Sequence, residues 1–359
     1  MTISADAKTM TRRDFAAGGL AALAFGALPA AGAADAPELA AAKKWFREAQ
    51  YGMMAHWGLY SILGGEWKGR LMGPQYVAEW AQQYFRIPNA EYAKLASAFN
   101  PIFFDADEWA KTAVDAGMKY LVFTAKHHDG FAMFRSKASG FNVVDATPFG
   151  RDVVGELAEA CRRHGLRLGL YYSQDLDWHE RGGGGFTRGK TWTDGAAYWT
   201  NNWDFQDVAR GDFDEYFEAK AKPQVREILT QYGDLALVWF DIGITLTRAQ
   251  SDELYGMVRR LQPGCLINSR IGCGRCDYTS ASDNEVVASK DPGMLFETPA
   301  TTNDSWGYKP TDQNWKSPGR IRGDREHLRS IGANYLLNVG PDPFGRLPVP
   351  AVRTMLAAK

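Results

Sequence analysis

A (β/α)8 barrel, built as a single catalytic domain, is the α/β architecture this sequence predicts, and three observations carry it. Seven apolar runs recur along the chain, at 51–61, 120–127, 166–173, 235–243, 265–272, 294–302 and 333–341. They are nearly unbroken in apolar character, as parallel strands covered on both faces should be. Helical patterns separate them, and repeated strand–helix units imply a parallel sheet. About seven or eight such units over roughly 300 residues favour a closed barrel over an open sheet. Finally, polar residues gather at the C-terminal ends of the runs: His56, His127, His128, Tyr171, Tyr172, Asp241, Arg270, Glu297 and Asn338. Barrel strands converge on one face at those ends, which is where chemistry sits.

The helices follow from local signals. "FDADEWAKTAVDAG" opens on Asp105 with Glu108 three residues on, close to a capping box, and stops at Gly117. "RDVVGELAEACRRHG" puts Val153, Leu157, Ala160, Cys161 and His164 on one stripe and ends at Gly165. "PQVREILTQYG" repeats the pattern with Val225, Ile228, Leu229 and Tyr232, and "DELYGMVRRLQPG" does so with Leu254, Met257, Val258 and Leu261. "GGGG" at Gly182–Gly185 follows a polar loop rather than a strand entering a helix. It is not the phosphate turn of a doubly wound sheet, and it reads as a flexible loop.

The N-terminus has the pattern of a processing signal. "TRRDF" sets paired arginines before an apolar run from Phe15 to Leu28, and small residues follow at Ala31–Ala33. The run is too short to span a bilayer. Its flanks predict a signal peptide over residues 1–33, exported by the twin-arginine route to the periplasm or beyond. Residues 34–44 are expected to be a linker and 45–359 the catalytic domain. After signal cleavage no membrane partner is expected. Formal net charge is −1, which lacks the basic surplus that a nucleic-acid partner requires.

Four cysteines are present: Cys161, Cys265, Cys273 and Cys276. "CGRC" is a single CxxC without a second pair, a weak zinc signal. A disulfide clip or two free thiols fit an exported chain better. Cys161 lies on a helical pattern and is expected to be buried.

Candidate chemistry starts at "VWFDIG". Asp241 follows an apolar, aromatic strand, where a carboxylate is either functional or engaged as a cap or ion pair. His56 and Trp57 end another strand, Glu79 and Trp80 follow in "YVAEW", "KHHDGF" adds His127 and His128, and "INSRIG" adds Arg270. Imidazole, guanidinium and aromatic groups around a carboxylate suit a hydroxyl-rich ligand. A metal site competes with that reading. His127, His128 and Asp129 are adjacent, however, and neighbours on a strand point to opposite faces. No metal and no cofactor are expected.

The stretches "WFREAQYGMMAHWGLYS", "YVAEW", "AGMKYLVFTAKHHDGFAMFRS", "GRDVVGELAEACRRHGLRLGLYYS", "LTQYGDLALVWFDIG", "SWGY" and "NYLLNVGPDPFGRLP" together resemble glycoside hydrolase family 29, the α-L-fucosidases. They cover nearly all of residues 45–348 in the family's order. The resemblance implies a retaining exo-glycosidase acting on a fucosylated oligosaccharide or glycoconjugate. It implies Asp241 as the nucleophile and His56, Glu79, Trp80, His127, His128 and Tyr171 as the sugar pocket. Arg270 would steady the acid/base carboxylate or the sugar. A related L-sugar such as L-galactose fits the same class. The rival readings are a catalytically impaired sugar-binding barrel and, behind it, a metal-dependent hydrolase.

The sequence departs from the family pattern in two places. A "T-x-E" often follows a "DY" pair, but "CDYTSASDNEVV" has Ser282 at the Glu position. The acid/base is expected at Glu285, then Asp283, with Glu297 of "LFETP" third and otherwise a substrate-binding group. Family members commonly add a β-sandwich after the barrel. This chain reaches Lys359 near the expected last barrel helix, so a C-terminal β-sandwich is expected to be absent.

Overall fold

The computed structural model describes residues 35–186, 199–205, 210–291 and 293–359. The expected signal peptide, residues 1–33, lies outside the described residues. Eight parallel strands form the barrel: β1 (Tyr51–Ala55), β2 (Tyr120–Lys126), β3 (Arg167–Tyr172), β4 (Leu237–Phe240), β5 (Leu266–Ile267), β6 (Thr279–Ser280), β7 (Phe296–Thr301) and β8 (Asn334–Val339). Hydrogen-bonded neighbours run β5-β4-β3-β2-β1-β8-β7-β6. The β5/β6 seam is closed by a parallel bridge between Asn268 and Tyr278 and by Asp277 N donating to Ile267 O at 2.7 Å. The fold class is therefore the (β/α)8 barrel.

The strands face two ways, as the alternation of side chains requires. Met54, Tyr120, Val122, Tyr171, Leu237, Trp239, Leu266 and Leu336 belong to one buried cluster, with Phe46 and Tyr278. Met53, Leu121, Phe123, Leu168, Leu170, Val238, Ile267 and Leu337 belong to a second, shared with the surrounding helices. Gly52 makes room for the first cluster, since a β-carbon there would lie 2.5 Å from the Tyr120 ring.

Helix α1 (Pro37–Ala49) overturns the linker expected at residues 34–44. Its buried residues Leu39, Ala42, Phe46 and Ala49 recur at helical spacing. The Phe46 ring lies 4.6 Å from that of Tyr278 and 6.1 Å from that of Tyr120. Both tyrosines stand at or beside the first residue of their strands, so α1 covers the N-terminal mouth of the barrel.

Helix α2 (Ala106–Asp115) is capped by the Asp105 carboxylate, which accepts from Asp107 N and Glu108 N. Helix α3 (Val153–Arg163) is capped by Asp152 on Gly155 N and buries Cys161. Helix α4 (Lys222–Gln231) continues a helical segment from Arg210. Helix α5 (Arg248–Leu261) starts earlier than its apolar pattern shows, because Thr247 and Gln250 form a capping box. Helices α6 (Pro318–Ser330) and α7 (Val349–Ala357) flank β8. Among the described residues no α-helix joins β5 to β6 or β6 to β7, and no helix is long and apolar enough to cross a membrane.

One further expectation is corrected. Gly182–Gly185 is a packed turn, not a flexible loop. Gly183 N donates to Glu180 O, Gly184 N to Asp175 O and Gly185 N to the Asp175 carboxylate. A β-carbon at Gly182 or Gly183 would sit 1.9 Å from the carbonyl oxygen of Asp212 or Asp177. The glycines are there because backbone runs against backbone. Of the two alternatives for Cys273 and Cys276, the structure has the free thiols, the first exposed.

Candidate active site

The strand ends deliver their polar groups to one face. Asp241, directly after β4, anchors the cluster. Its Oδ2 accepts from the Tyr171 hydroxyl at 2.8 Å, and its Oδ1 accepts from Ile242 N at 3.0 Å and from Arg270 Nη1 at 3.1 Å. Gln174 fixes the backbone on both sides of this contact: its Oε1 accepts from Asp241 N and its Nε2 donates to Arg270 O. The side chain of Asp241 keeps 11% of its surface exposed, a narrow opening on an otherwise closed group.

Arg270 rides on the 3-10 turn Ser269–Ile271 that interrupts β5. Asn268 causes the interruption. Its side chain accepts from Phe240 N and donates to Phe240 O, taking over the ladder that β5 would otherwise continue. The guanidinium lies 4.7 Å above the Trp239 ring. Its Nη2 donates to Asp283 Oδ1 at 2.5 Å and to Ala281 O at 2.9 Å. Burial disfavours the charge, but Asp283 and Asp241 outweigh it and hold the group cationic.

The histidines form the opposite wall. His56 Nδ1 meets Asn338 Oδ1 at 2.7 Å, while Asn338 Nδ2 donates to Trp306 O. The amide oxygen can only accept, so the proton sits on Nδ1 and Nε2 is left as an acceptor. His128 repeats the device. Ser173 Oγ donates to Leu176 O and therefore accepts from His128 Nδ1. His128 Nε2 then faces Asp241 Oδ2 at 3.6 Å. The buried Nδ1 of His127 has no hydrogen-bond partner among the described residues. Burial lowers the pKa of all three rings, to about 4 for His56 and well below the ordinary value for His127 and His128. They are neutral imidazoles.

The expected divergence of neighbouring histidines fails here. β2 ends at Lys126, and beyond it the His127 and His128 rings turn to the same region, with centroids 4.1 Å apart. Lys126 points away, to Asp177 and Leu176 O. Asp129 is separate as well, accepting from the Tyr92 hydroxyl and Phe131 N. Among the described residues no group of three or more His, Cys, Asp or Glu is placed to hold a metal ion.

Glu79 and Trp80 come from the short turn Ala78–Trp80. Trp80 packs edge-on to His128 at 5.1 Å and to Trp178 at 5.2 Å. Glu79 Oε2 accepts from Gly307 N at 2.8 Å, and burial pushes its carboxyl up to about 7.

The three acid/base candidates separate in space. Asp283 shares the Arg270 guanidinium with Asp241, and its charge reaches His56, Glu79 and His128. Glu285 is exposed on the same loop, and its backbone, not its carboxylate, makes the described contacts, with Ser282 O and the Thr298 hydroxyl. Glu297 does not reach the cleft. It is the second residue of β7, toward the N-terminal mouth, fully buried, with Oε2 accepting from the Tyr120 hydroxyl at 2.7 Å and Oε1 from Trp239 Nε1 at 2.9 Å. The expectation that it ends its strand and contacts substrate is corrected, because the strand starts one residue before it.

The sequence reading missed Ser173, Gln174, Trp239, Asn268 and Trp306. Ser173 and Gln174 directly follow β3, so the rule that strand ends converge could have found them. Trp239 and Asn268 act from inside an apolar run and a shortened strand, where no local signal marks them.

A family model described as alpha-L-fucosidase matches residues 33–358. The tissue alpha-L-fucosidase of Bos taurus is 29% identical over 334 residues, covering 88% of this chain and 65% of that protein. The Mus musculus counterpart is 30% identical over 334 residues, covering 88% and 68%. The chain thus spans about two thirds of the length of these curated relatives. Among solved structures, unliganded alpha-L-fucosidase AlfC from Lactobacillus casei superposes with a TM-score of 0.83 at 52% identity, covering 89% of this chain and 97% of that one. An AlfC mutant in complex with 4-nitrophenyl-α-L-fucopyranoside gives a TM-score of 0.82 at 53% identity, covering 88% and 97%.

Proposed function

The chain belongs to the alpha-L-fucosidase family of glycoside hydrolases, and on that premise we propose that it releases terminal α-L-fucosyl residues from glycans with retention of configuration. One observation carries the mechanism. Asp241 and Asp283 bind the two nitrogens of one guanidinium, at 3.1 and 2.5 Å. That arrangement is compatible with the carboxyl spacing of about 5–5.5 Å that retaining enzymes use.

In this mechanism Asp241 attacks the anomeric carbon and forms a glycosyl-enzyme. The Tyr171 hydroxyl and Arg270 orient its oxygens before attack. Asp283, in its protonated form, gives its proton to the departing oxygen and afterwards takes one from water. Neutral His56 and His128 present acceptor nitrogens to sugar hydroxyls, and His127 and Glu79 complete the wall. Trp80 offers an aromatic face to the sugar's C–H surface. Asp283 replaces Glu285 as our first choice for acid/base because it alone of the two touches Arg270.

A panel of aryl glycosides tests the reading: α-L-fucoside, L-galactoside, L-arabinoside and D-sugars. The fucoside should be turned over, with α-L-fucose as the first-formed anomer by NMR. Binding without turnover would support the impaired sugar-binding barrel, and first-formed β-L-fucose would exclude retention.

We also propose that residues 1–33 direct export through the twin-arginine route, on the strength of "TRRDF" and the apolar run behind it. Replacing Arg12 and Arg13 by Lys should leave precursor in the cytoplasm; normal export of that variant would exclude the route.

A further inference from the structure

A fully buried carboxylate needs a reason, because taking one out of water is costly unless its partners make up for it. Glu297 has no cation in hydrogen-bonding contact. Its partners are the Tyr120 hydroxyl and the Trp239 indole N–H. An indole N–H can only donate, and a carboxylate is the side chain that accepts at both ends. The pair therefore explains the choice of Glu, but not why the barrel interior keeps this polar pair instead of filling the space with apolar groups.

The other contacts of Trp239 supply the reason. Its ring stacks on Tyr171, with centroids 5.6 Å apart and planes 18° from parallel. The Arg270 guanidinium sits over it at 4.7 Å. Among the described residues, Tyr171 and Arg270 are the two side chains that hydrogen-bond to the Asp241 carboxylate, and Arg270 also holds Asp283. One indole thus underlies both groups that aim the carboxylates, and its only polar atom is tied to Glu297.

We propose that Glu297 is a positioning residue: through the Trp239 N–H it fixes the indole platform that holds Tyr171 and Arg270 against Asp241 and Asp283. This rests on the reading of Asp241 and Asp283 as the reacting carboxyls. The chain of contact runs Glu297, Trp239, Arg270, carboxylates, and Glu297 never meets the substrate. Loosening the platform misplaces the reacting groups without removing any sugar contact, so the loss falls on kcat and not on KM.

Steady-state kinetics on an aryl α-L-fucoside, with melting temperatures as a folding control, test this in four variants. Glu297→Ala leaves two buried donors unpaired and should lower kcat by roughly 10- to 100-fold, with KM moving less than about threefold. Glu297→Gln should recover most of that loss, because its oxygen still accepts from Trp239 and its amide donates to the Tyr120 hydroxyl. Trp239→Phe, which lacks the N–H, should lose kcat on its own. The double variant Glu297→Ala/Trp239→Phe should be no slower than Trp239→Phe alone, because Glu297 acts through that ring. Native kcat in Glu297→Ala, a Gln variant no better than Ala, or losses that multiply in the double variant would each overturn the proposal. If Glu297→Ala does not fold, Gln and Trp239→Phe decide: native kcat in Trp239→Phe overturns it. An inactive native protein overturns the catalytic reading and this one together, whereas an active native protein with an unaffected Glu297→Ala overturns only this one.

Discussion

Replacing Asp283 by Ala isolates the acid/base step from binding and folding. The side chain is 49% exposed, and its contact with Arg270 is an ion pair at the rim of the site. A pair that exposed contributes up to about 1 kcal/mol to stability, so in a domain of this size the melting temperature should fall by no more than about 1–2 °C. The kinetic effect is far larger and depends on the leaving group. General acid catalysis contributes about 10²- to 10⁴-fold when the departing oxygen is a poor leaving group. A fucosyl oligosaccharide should therefore lose that full factor. An aryl fucoside with a strongly acidic phenol needs little protonation, and its glycosyl-enzyme should form within about tenfold of the native rate. Hydrolysis of the intermediate still lacks its base, so stopped-flow traces should show a burst of phenol followed by slow turnover. Azide needs no base and should restore the second step, giving a glycosyl azide of retained configuration. Glu285→Ala, assayed beside it, should keep near-native rates on both substrates. If Glu285→Ala shows the burst and azide rescue while Asp283→Ala cleaves the oligosaccharide normally, the argument from the shared guanidinium is wrong.

Asp241→Gly should fold yet lose several powers of ten in turnover, since no covalent intermediate forms; azide should then give the inverted glycosyl azide, and near-native turnover would exclude Asp241 as nucleophile. Glu79 tests the burial of the pocket wall through pH. Its carboxyl is pushed from the ordinary 4.5 up to about 7 by burial, so between those values the folded state holds a proton that the unfolded chain releases. The stability this provides is fully present below pH 4.5 and is lost as pH rises through 7. Glu79→Gln, which keeps an acceptor for Gly307 N, should gain stability relative to the native protein over that interval, by as much as about 3 kcal/mol. Denaturant midpoints measured at pH 4.5 and 7 read the difference, and parallel shifts in the two proteins would refute it.

Much of the barrel was legible because seven of its eight strands lie within apolar runs. The exceptions have physical causes. β6 is two polar residues, Thr279 and Ser280, held only by its neighbours, and no pattern of length two is readable. The segment of α1 reads as a linker because its Ala-rich sequence continues the composition of the N-terminal apolar run, although Leu39, Ala42, Phe46 and Ala49 carry the helical spacing. The histidine wall and Asp241 were visible because they directly follow strands. The same rule misplaces Glu297, because the apolar run containing it does not reveal where pairing begins.

The acid/base shows where such reading stops. Asp283 and Glu285 are two residues apart in one polar loop, and nothing local distinguishes them. Asn284 separates them. It adopts a left-handed backbone with φ of 59°, a conformation Asn tolerates better than most residues. Its side-chain oxygen accepts from Thr301 N, the Thr301 hydroxyl and Lys316 Nζ, which pins the loop to the end of β7. Asp283, on one side of that reversal, reaches Arg270, and Glu285, on the other, is exposed. The partners that fix Asn284 lie 17 and 32 positions away in the chain. The choice between two neighbouring carboxylates is thus made by β7 and the segment before α6, and only the closed barrel brings them together.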